Sequence, residues 1–201
     1  MVREGIPFVL VPLGLAFVFA AFGVWLVVVP LVILSGFMAF FFRDPERKTP
    51  EDENIIVSAA DGRVTKVEQL EDGKLVSVFL SPFDVHVNRA PISGRITKIS
   101  YQKGKKLPAT SNLSSKVNER NSLTIENEKM IVVCTQVAGI LARRIVCWKH
   151  EGERVRIGER FGLIKFGSRT DLLIPTSTEV LVKVGDKVKA GETVIARIKN
   201  D

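Results

Sequence analysis

The chain contains few of the residues on which metal and redox chemistry depend. Its only cysteines, Cys134 and Cys147, lack the CxxC spacing of zinc and redox sites, so we expect buried thiols in strands and no required disulfide. The formal net charge of +7 is accompanied by no helix-turn-helix pattern and no aromatic RNA-binding motif. A nucleic-acid partner is therefore not expected, and an anionic membrane surface is favoured instead.

Charge is also missing from the whole stretch between Gly5 and Phe42. At about 1.5 Å per helical residue, this stretch is nearly twice as long as a bilayer core is thick. Two short helices in residues 1–42 are therefore predicted, with the turn at Pro30 or in the region 20–23. Positive charge at Arg3 and Arg43 flanks both ends, which favours a hairpin in the cell membrane with both ends cytoplasmic.

Two other interpretations of the apolar block are open. A cleaved signal peptide would have a shorter apolar region and a small-residue cleavage site. An interfacial element that does not span the bilayer is also compatible with the sequence. After the block, residues 43–56 form a charged, proline-punctuated linker, and residues 57–201 are predicted to form one catalytic domain on the cytoplasmic side.

Short runs rich in Val and Ile, separated by Asp-Gly and similar turn signals, predict a mainly β domain of sandwich or barrel type. The segment 62–67 recurs as 94–99, which predicts two equivalent hairpins. The run 182–196 resembles half of a biotinyl or lipoyl carrier domain, without the modified lysine. One or two helical turns are compatible with Asn112 to Arg120.

Gly167-Ser168 interrupts an apolar strand, and on local grounds it is a turn or bulge. Its residue types also suit covalent chemistry. Glycine lets an attacking group approach the carbonyl, and serine supplies both a hydroxyl nucleophile and a β-leaving group.

A second polar group lies between Leu80 and Pro91. The period of two in a strand would place Asp84, His86 and Asn88 on one face, where they could share a polar site. His86 could equally be a structural histidine.

Two further groups have both a structural and a functional interpretation. Asp61 precedes Gly62 at the end of a strand, where it could form the turn or orient an imidazole. The cluster 118–121, Asn-Glu-Arg-Asn, is most simply a solvated turn, and alternatively part of a head-group site.

Taken in order, these motifs resemble the short form of the phosphatidylserine decarboxylase family, which includes archaetidylserine decarboxylase-like members. The resemblance runs from Phe41 to about Ala196. It rests on five motifs: Phe42-Arg43-Asp44-Pro45, Ala60-Asp61-Gly62, Ser81 to Asn88, Asn118-Glu119-Arg120 and Phe166-Gly167-Ser168.

The resemblance implies that the precursor cuts itself. Ser168 Oγ would attack the Gly167 carbonyl, and the resulting ester would eliminate to leave a β chain 1–167 and an α chain 168–201 that begins with a pyruvoyl group. That covalent cofactor would form a Schiff base with the serine lipid and take up electrons as CO₂ leaves, with no PLP and no metal. The implied catalytic residues are Ser168, His86 and Asp61.

The sequence departs from the larger family members at one position. They carry a second histidine three residues after the first, where this chain has Arg89. His86 must therefore be the candidate both for the base in maturation and for the proton donor in decarboxylation. His150 is the fallback, although its surroundings predict an exposed turn.

Three functions are open at this stage. The first is decarboxylation of phosphatidylserine or, in an archaeon, of archaetidylserine. The second is a non-enzymatic, membrane-anchored carrier-like or membrane-fusion-type protein, which predicts an intact chain. The third is a family relative that matures but decarboxylates another membrane amine. The lipid tails, the residues that bind the phosphate and a homo-oligomeric state are not encoded in any recognisable motif.

Overall fold

A computed structural model describes residues 1–104, 117–139, 144–165 and 168–199. The chain divides into two compact units, Met1–Glu46 and Arg47–Asp201. The predicted helix at Asn112 to Arg120 lies largely outside the described residues, and its last residue begins a strand.

The N-terminal unit is the predicted helical hairpin. A 3-10 turn at Arg3–Gly5 leads into α1 (Ile6–Ala21), and α2 covers Trp25–Phe41. The chain reverses at Gly23, whose φ of 71° lies in the region that favours glycine. The alternative turn at Pro30 is wrong, because Pro30 lies inside α2.

The two helices pack against each other, and the Ser35 hydroxyl donates a hydrogen bond of 2.9 Å to the Val9 carbonyl. Arg3–Ala21 is long and apolar enough to cross a membrane, whereas the apolar α2 is shorter. The predominantly apolar character of the unit suggests association with a membrane.

The second unit is mainly β, as the turn signals predicted. Its described residues form fourteen strands: β1 (Ile55–Val57), β2 (Gly62–Leu70), β3 (Gly73–Leu80), β4 (Val87–Arg89), β5 (Gly94–Gln102), β6 (Arg120–Glu126), β7 (Ile131–Ala138), β8 (Arg144–Cys147), β9 (Arg154–Val155), β10 (Arg160–Lys165), β11 (Ser168–Ile174), β12 (Thr178–Val180), β13 (Lys187–Val188) and β14 (Val194–Ile198).

These strands form three antiparallel sheets. A curled, eight-stranded half-barrel has the order β13-β2-β3-β11-β7-β6-β5-β9. Two smaller sheets have the orders β1-β14-β12 and β4-β10-β8. The strands can be exchanged in pairs so that the two small sheets replace each other and the large sheet keeps its order. In this exchange the equivalent strands are β1 and β4, β2 and β5, β3 and β6, β11 and β7, β12 and β8, β13 and β9, and β14 and β10.

The unit therefore consists of two equivalent halves, of which one is inserted into the other. We call β4–β10 the inserted half, and β1–β3 with β11–β14 the outer half. The chain crosses from the outer to the inserted half between β3 and β4, and returns between β10 and β11. The predicted pair of hairpins is confirmed as β2-β3 and β5-β6.

The equivalence extends to irregularities in strand pairing. The register between β2 and β3 shifts at Thr65, and that between β5 and β6 shifts at Thr97, the same position of the repeated segment. A second repeat, Gly-Glu-Arg-Val-Arg-Ile-Gly-Glu at 152–159 and Gly-Asp-Lys-Val-Lys-Ala-Gly-Glu at 185–192, contains β9 and β13. This repeat was not predicted, although it is visible in the sequence once the second segment is aligned with the first.

Strand pairing at the centre of the large sheet shows which residues of the two halves are equivalent. Val67 and Ile99 are equivalent in the first repeat, and they pair with Val76 and Leu123 respectively. Those residues pair in turn with Leu172 and Cys134, which also pair with each other. Cys134 and Leu172 are therefore equivalent and mark the seam between the halves. Both are buried in one continuous apolar core.

Candidate active site

The two crossings between the halves carry the two residues that the sequence analysis ranked first. His86 lies on the segment that leads from β3 to β4, and Ser168 is the first residue of β11. Gly167, the other half of the predicted cleavage site, lies outside the described residues, as does Phe166.

Ser168 occupies the middle of the large sheet. It is paired with Leu80 on one side and Ala138 on the other, and it has no exposed surface. Its Oγ has no hydrogen-bond partner among the described residues. An unsatisfied buried hydroxyl costs about 1–3 kcal/mol, so the site holds this serine at the expense of stability.

His86 is also fully buried. Its Nδ1 lies 2.9 Å from the carbonyl oxygen of Asp84. A carbonyl oxygen can only accept a hydrogen bond, so this contact places the ring proton on Nδ1. The lone pair of the neutral ring is then on Nε2, which is the arrangement that a general base requires.

Three contacts bring His86 and Ser168 to the same part of the unit. The partner of Ser168 in β3, Leu80, begins the short segment that ends at His86. The His86 carbonyl accepts a hydrogen bond of 3.3 Å from the amide of Ile164, shortly before the chain reaches Ser168. Beyond both residues, Asn88 Nδ2 donates to Thr170 Oγ1 over 3.2 Å.

The prediction that Asp84 shares a strand face with His86 is wrong. Both residues precede β4, and Asp84 lies in a turn. The Asp84 carboxylate accepts hydrogen bonds from the amide and the hydroxyl of Ser81, at 2.8 and 2.6 Å. This local Asp-to-Ser capping competes with the extended conformation that a shared face needs.

Asp61 lies near the site but contacts other groups. Both of its oxygens accept hydrogen bonds from the Arg47 guanidinium, at 2.9 and 2.8 Å, and Oδ1 accepts one from the Ala190 amide at 2.9 Å. Burial raises the pKa of Asp61, the Ala190 amide and Arg47 oppose that rise, and the charge of Asp84 adds to it. The described contacts of Asp61 include no hydrogen bond to His86.

The equivalent residue in the other half clarifies part of this arrangement. Ser93 precedes Gly94 as Asp61 precedes Gly62, and its hydroxyl accepts from the Ile157 amide at 2.8 Å. The amide at this position, that of Ile157 in one half and of Ala190 in the other, can therefore be bound without a carboxylate. What the carboxylate adds is the pairing with Arg47, a residue that our sequence analysis assigned only to the linker.

The cluster at 118–121 is not a solvated turn. Asn118 and Asn121 are buried, and Asn118 Nδ2 donates to the carbonyl of Ala138 over 2.8 Å. Ala138 is the partner of Ser168, and its amide donates to the Glu119 carbonyl. Strand pairing with β7 draws these side chains inward, which local polarity could not indicate.

The remaining candidates are placed as follows. His150 is exposed, as predicted. The Arg89 guanidinium donates to the Gly158 carbonyl over 3.0 Å, and Arg169 forms a buried, two-pronged ion pair with Asp171 at 2.8 and 2.9 Å. Within the described ranges, no three His, Cys, Asp or Glu side chains are grouped to hold a metal ion.

Comparison with known proteins adds an independent result. Residues 34–196 match the family model described as phosphatidylserine decarboxylase. The chain is 45% identical to the phosphatidylserine decarboxylase proenzyme of Syntrophus aciditrophicus, over 95% of this chain and 94% of that protein. It is 47% identical to that of Symbiobacterium thermophilum, over 98% and 94%. It is 48% identical to that of Chlorobium chlorochromatii, over 87% and 84%.

Proposed function

The chain belongs to the phosphatidylserine decarboxylase family, and we propose that it decarboxylates phosphatidylserine after cutting itself between Gly167 and Ser168. The observation that carries the proposal is the buried Oγ of Ser168, which has no hydrogen-bond partner among the described residues and lies in the same part of the unit as the buried His86. Ser77 Oγ is also buried without a partner among the described residues, so the buried histidine in the same part of the unit is what distinguishes Ser168.

The proposed maturation uses groups of this chain alone. His86 Nε2 accepts the proton of Ser168 Oγ, and the oxygen attacks the Gly167 carbonyl. The peptide C–N bond breaks as the ester forms, and the proton taken up by His86 passes to the freed amine of Ser168. Loss of the Ser168 Cα proton then breaks the Cβ–Oγ bond, leaving the Gly167 carboxylate and a dehydroalanine, which water converts to a pyruvoyl group with release of ammonia.

The residues present fit a pyruvoyl group, since Ser168 is its only covalent source and the surrounding strands hold that position on both sides. When formed, the group supplies an electron sink for the carbanion left by CO₂. His86 is proposed to return a proton to the α-carbon of the product. The buried position of His86 supports this role by excluding competing water.

The role of Asp61 in orienting an imidazole stays a prediction. What supports a location of Asp61 near the site is that Ala59, two residues before it, accepts hydrogen bonds from the Arg89 amide and Asn88 Nδ2. We further propose that residues 1–42 anchor the chain in the cell membrane, that residues 43–56 link the anchor to the catalytic domain 57–201, and that this domain faces the cytoplasm.

The first experiment is the intact mass of the denatured full-length chain, purified in detergent. We expect the wild type to give two fragments, 1–167 and 168–201, the smaller beginning with a pyruvoyl group. The variant Ser168→Ala should stay whole. Ser177→Ala, which changes an exposed serine in a turn, is the matched control and should be cut like the wild type.

A whole wild-type chain would remove the cofactor and favour the membrane-anchored carrier-like or membrane-fusion-type protein. If the cut occurs, CO₂ release from vesicles that contain phosphatidylserine tests the substrate. A cut protein that is inactive on this lipid, but active on its ether-linked counterpart or on another membrane amine, would redirect the substrate assignment and leave the maturation intact.

A further inference from the structure

His86 and Ser168 are positioned by different sheets. His86 leads into β4, which belongs to the sheet β4-β10-β8, whereas Ser168 begins β11 of the eight-stranded sheet. Strand pairing fixes a residue within its own sheet, but the distance between sheets depends on side chains. The side chains that join β4 to the large sheet near Ser168 are therefore of interest.

A continuous chain of buried amides makes this connection. Asn121 Nδ2 donates to Gln136 Oε1 over 3.1 Å, and Gln136 Nε2 donates to Asn88 Oδ1 over 2.9 Å. Asn88 Nδ2 in turn donates to Thr170 Oγ1 and to the Ala59 carbonyl, each over 3.2 Å. These four side chains are 0–3% exposed.

The order of the donors gives the chain a direction. Gln136 and Asn88 each accept from the residue before them and donate to the next, so the sequence of bonds runs from Asn121 to Thr170, which uses its oxygen as the acceptor. In an extended strand, Thr170 faces the same side as Ser168. The amides therefore connect β6 and β7 to β4, and β4 to the strand that begins with Ser168.

The equivalent positions elsewhere in the unit show that the fold does not need this chain. Because Cys134 and Leu172 are equivalent, the residues two positions on, Gln136 and Ile174, are equivalent as well. By the same step backwards, Thr170 corresponds to Val132. Both apolar counterparts are buried in the main core.

Asn88 also has an apolar counterpart. It pairs with Gly162 beside the register shift of β4 and β10, and Ile56 pairs with Ala196 beside the same shift of β1 and β14. Ile56 is fully buried in the main core. Apolar side chains, those of Ile56, Ile174 and Val132, thus fill the positions equivalent to Asn88, Gln136 and Thr170 at the end of the unit away from Ser168.

We infer that Asn88, supported by Gln136, is a positioning residue that holds His86 at the attacking serine across the two sheets. The inference rests on the proposed function. A buried polar chain costs desolvation and is justified only when every member is bonded, whereas its apolar equivalents fold without that requirement. Its presence only beside Ser168 is accounted for by a need for directed geometry there.

The main test replaces the amide chain with its own counterparts. The variant Asn88→Ile/Gln136→Ile/Thr170→Val is made by cell-free synthesis of the full chain in detergent, and cleavage is followed over time. We expect cleavage at least about 100-fold slower than in the wild type, since loss of reacting geometry is costly. In a Ser168→Ala background, which keeps every chain whole, the urea midpoint should be equal or higher.

A pair of single variants guards against misfolding of the triple variant. Asn88→Ala and Asn121→Ala each remove one buried amide of the same chain, but only Asn88 joins the two sheets. We expect cleavage to slow at least about 10-fold for Asn88→Ala and less than about threefold for Asn121→Ala, at comparable urea midpoints. Slowing in proportion to lost stability in both variants would overturn the inference, as would a triple variant that cleaves within threefold of the wild type.

A second readout does not require cleavage. The chain has two histidines, so ¹⁵N-histidine labelling of the Ser168→Ala protein gives two sets of ring signals. Asn88→Ala should move the His86 ring signals and leave those of His150, and Asn121→Ala should leave both. If the wild type proves uncut, the proposed function fails, yet unmoved His86 signals in Asn88→Ala would separately overturn the positioning role.

Discussion

The two halves of the β unit share strand order, register shifts and turn positions, yet they differ in what fills them at one end. Beside Ser168 the inserted half contributes Asn88 and Gln136, where the outer half has Ile56 and Ile174. The difference separates two demands on one architecture. The apolar end shows what the fold requires, so the polar residues at the other end mark what folding alone does not explain.

The largest difference between equivalent positions of the two halves is expected when His86 is replaced. Its counterpart is Asn54, whose carbonyl accepts from the Ile198 amide as the His86 carbonyl accepts from Ile164. We expect His86→Ala to slow self-cleavage at least about 100-fold, the usual contribution of a general base. Asn54→Ala should cleave at the wild-type rate. Equal cleavage in both variants, timed by gel after cell-free synthesis, would remove the asymmetry that we assign to His86.

A moderate effect is expected from Gly162 and its counterpart Ala196. A Cβ on Gly162 would lie 3.0 Å from Gln136 Nε2 and would collide with the Val146 carbonyl. Gly162→Ala should therefore cost about 1–3 kcal/mol of unfolding free energy, as overpacking does. Ala196→Gly should cost about 0.5–1 kcal/mol through backbone entropy.

Urea unfolding of both variants in the Ser168→Ala background measures these costs. The comparison is sharpened if Gly162→Ala also slows cleavage of the otherwise unmodified chain, because the added methyl group presses on Gln136. A Gly162→Ala protein as stable as its parent would mean that the amide of Gln136 has room to move.

The smallest effect concerns Asp61 and Ser93. Because burial raises the pKa of Asp61, the folded chain holds that proton more tightly than the unfolded chain does. The free energy of unfolding of the wild type relative to that of Asp61→Asn should thus be greatest at or below about pH 4, the ordinary pKa range of a carboxyl group. It should fall as the pH rises through the raised pKa of Asp61.

The matched variant Ser93→Ala carries no titrating group, so its stability relative to the same parent should not vary over this interval. Urea midpoints between about pH 4 and pH 7, again in the Ser168→Ala background, test both expectations. A relative stability of the Asp61 protein that rises with pH would show that pairing with Arg47 outweighs the burial of the carboxylate.

Much of this arrangement was predictable from the sequence where the signal is local. The uncharged stretch predicted the helical hairpin, and the repeated segment beginning at Gly62 and Gly94 predicted two equivalent hairpins, because both signals depend on neighbouring residues. The order of the motifs indicated the family. His86 and Ser168 stood out because their residue types are scarce or chemically suited.

The supporting residues were not predictable in the same way. Gln136 follows Thr135 in an otherwise apolar run, and nothing beside it in sequence indicates that it faces Asn88. Arg47 lies in a charged segment whose composition resembles any linker, although it is buried against Asp61. Such partners are selected by pairing between distant strands, which local composition does not report.

The insertion of one half into the other has a consequence for the molecularity of folding. The segment after Ser168 supplies β11 between β3 and β7, β13 beside β2 and β14 beside β1. If the peptide bond before Ser168 is cut as proposed, this segment becomes a separate fragment that contributes strands to two of the three sheets. Unfolding of the cut form then releases two molecules, so its midpoint should rise with protein concentration, whereas that of the Ser168→Ala chain should not.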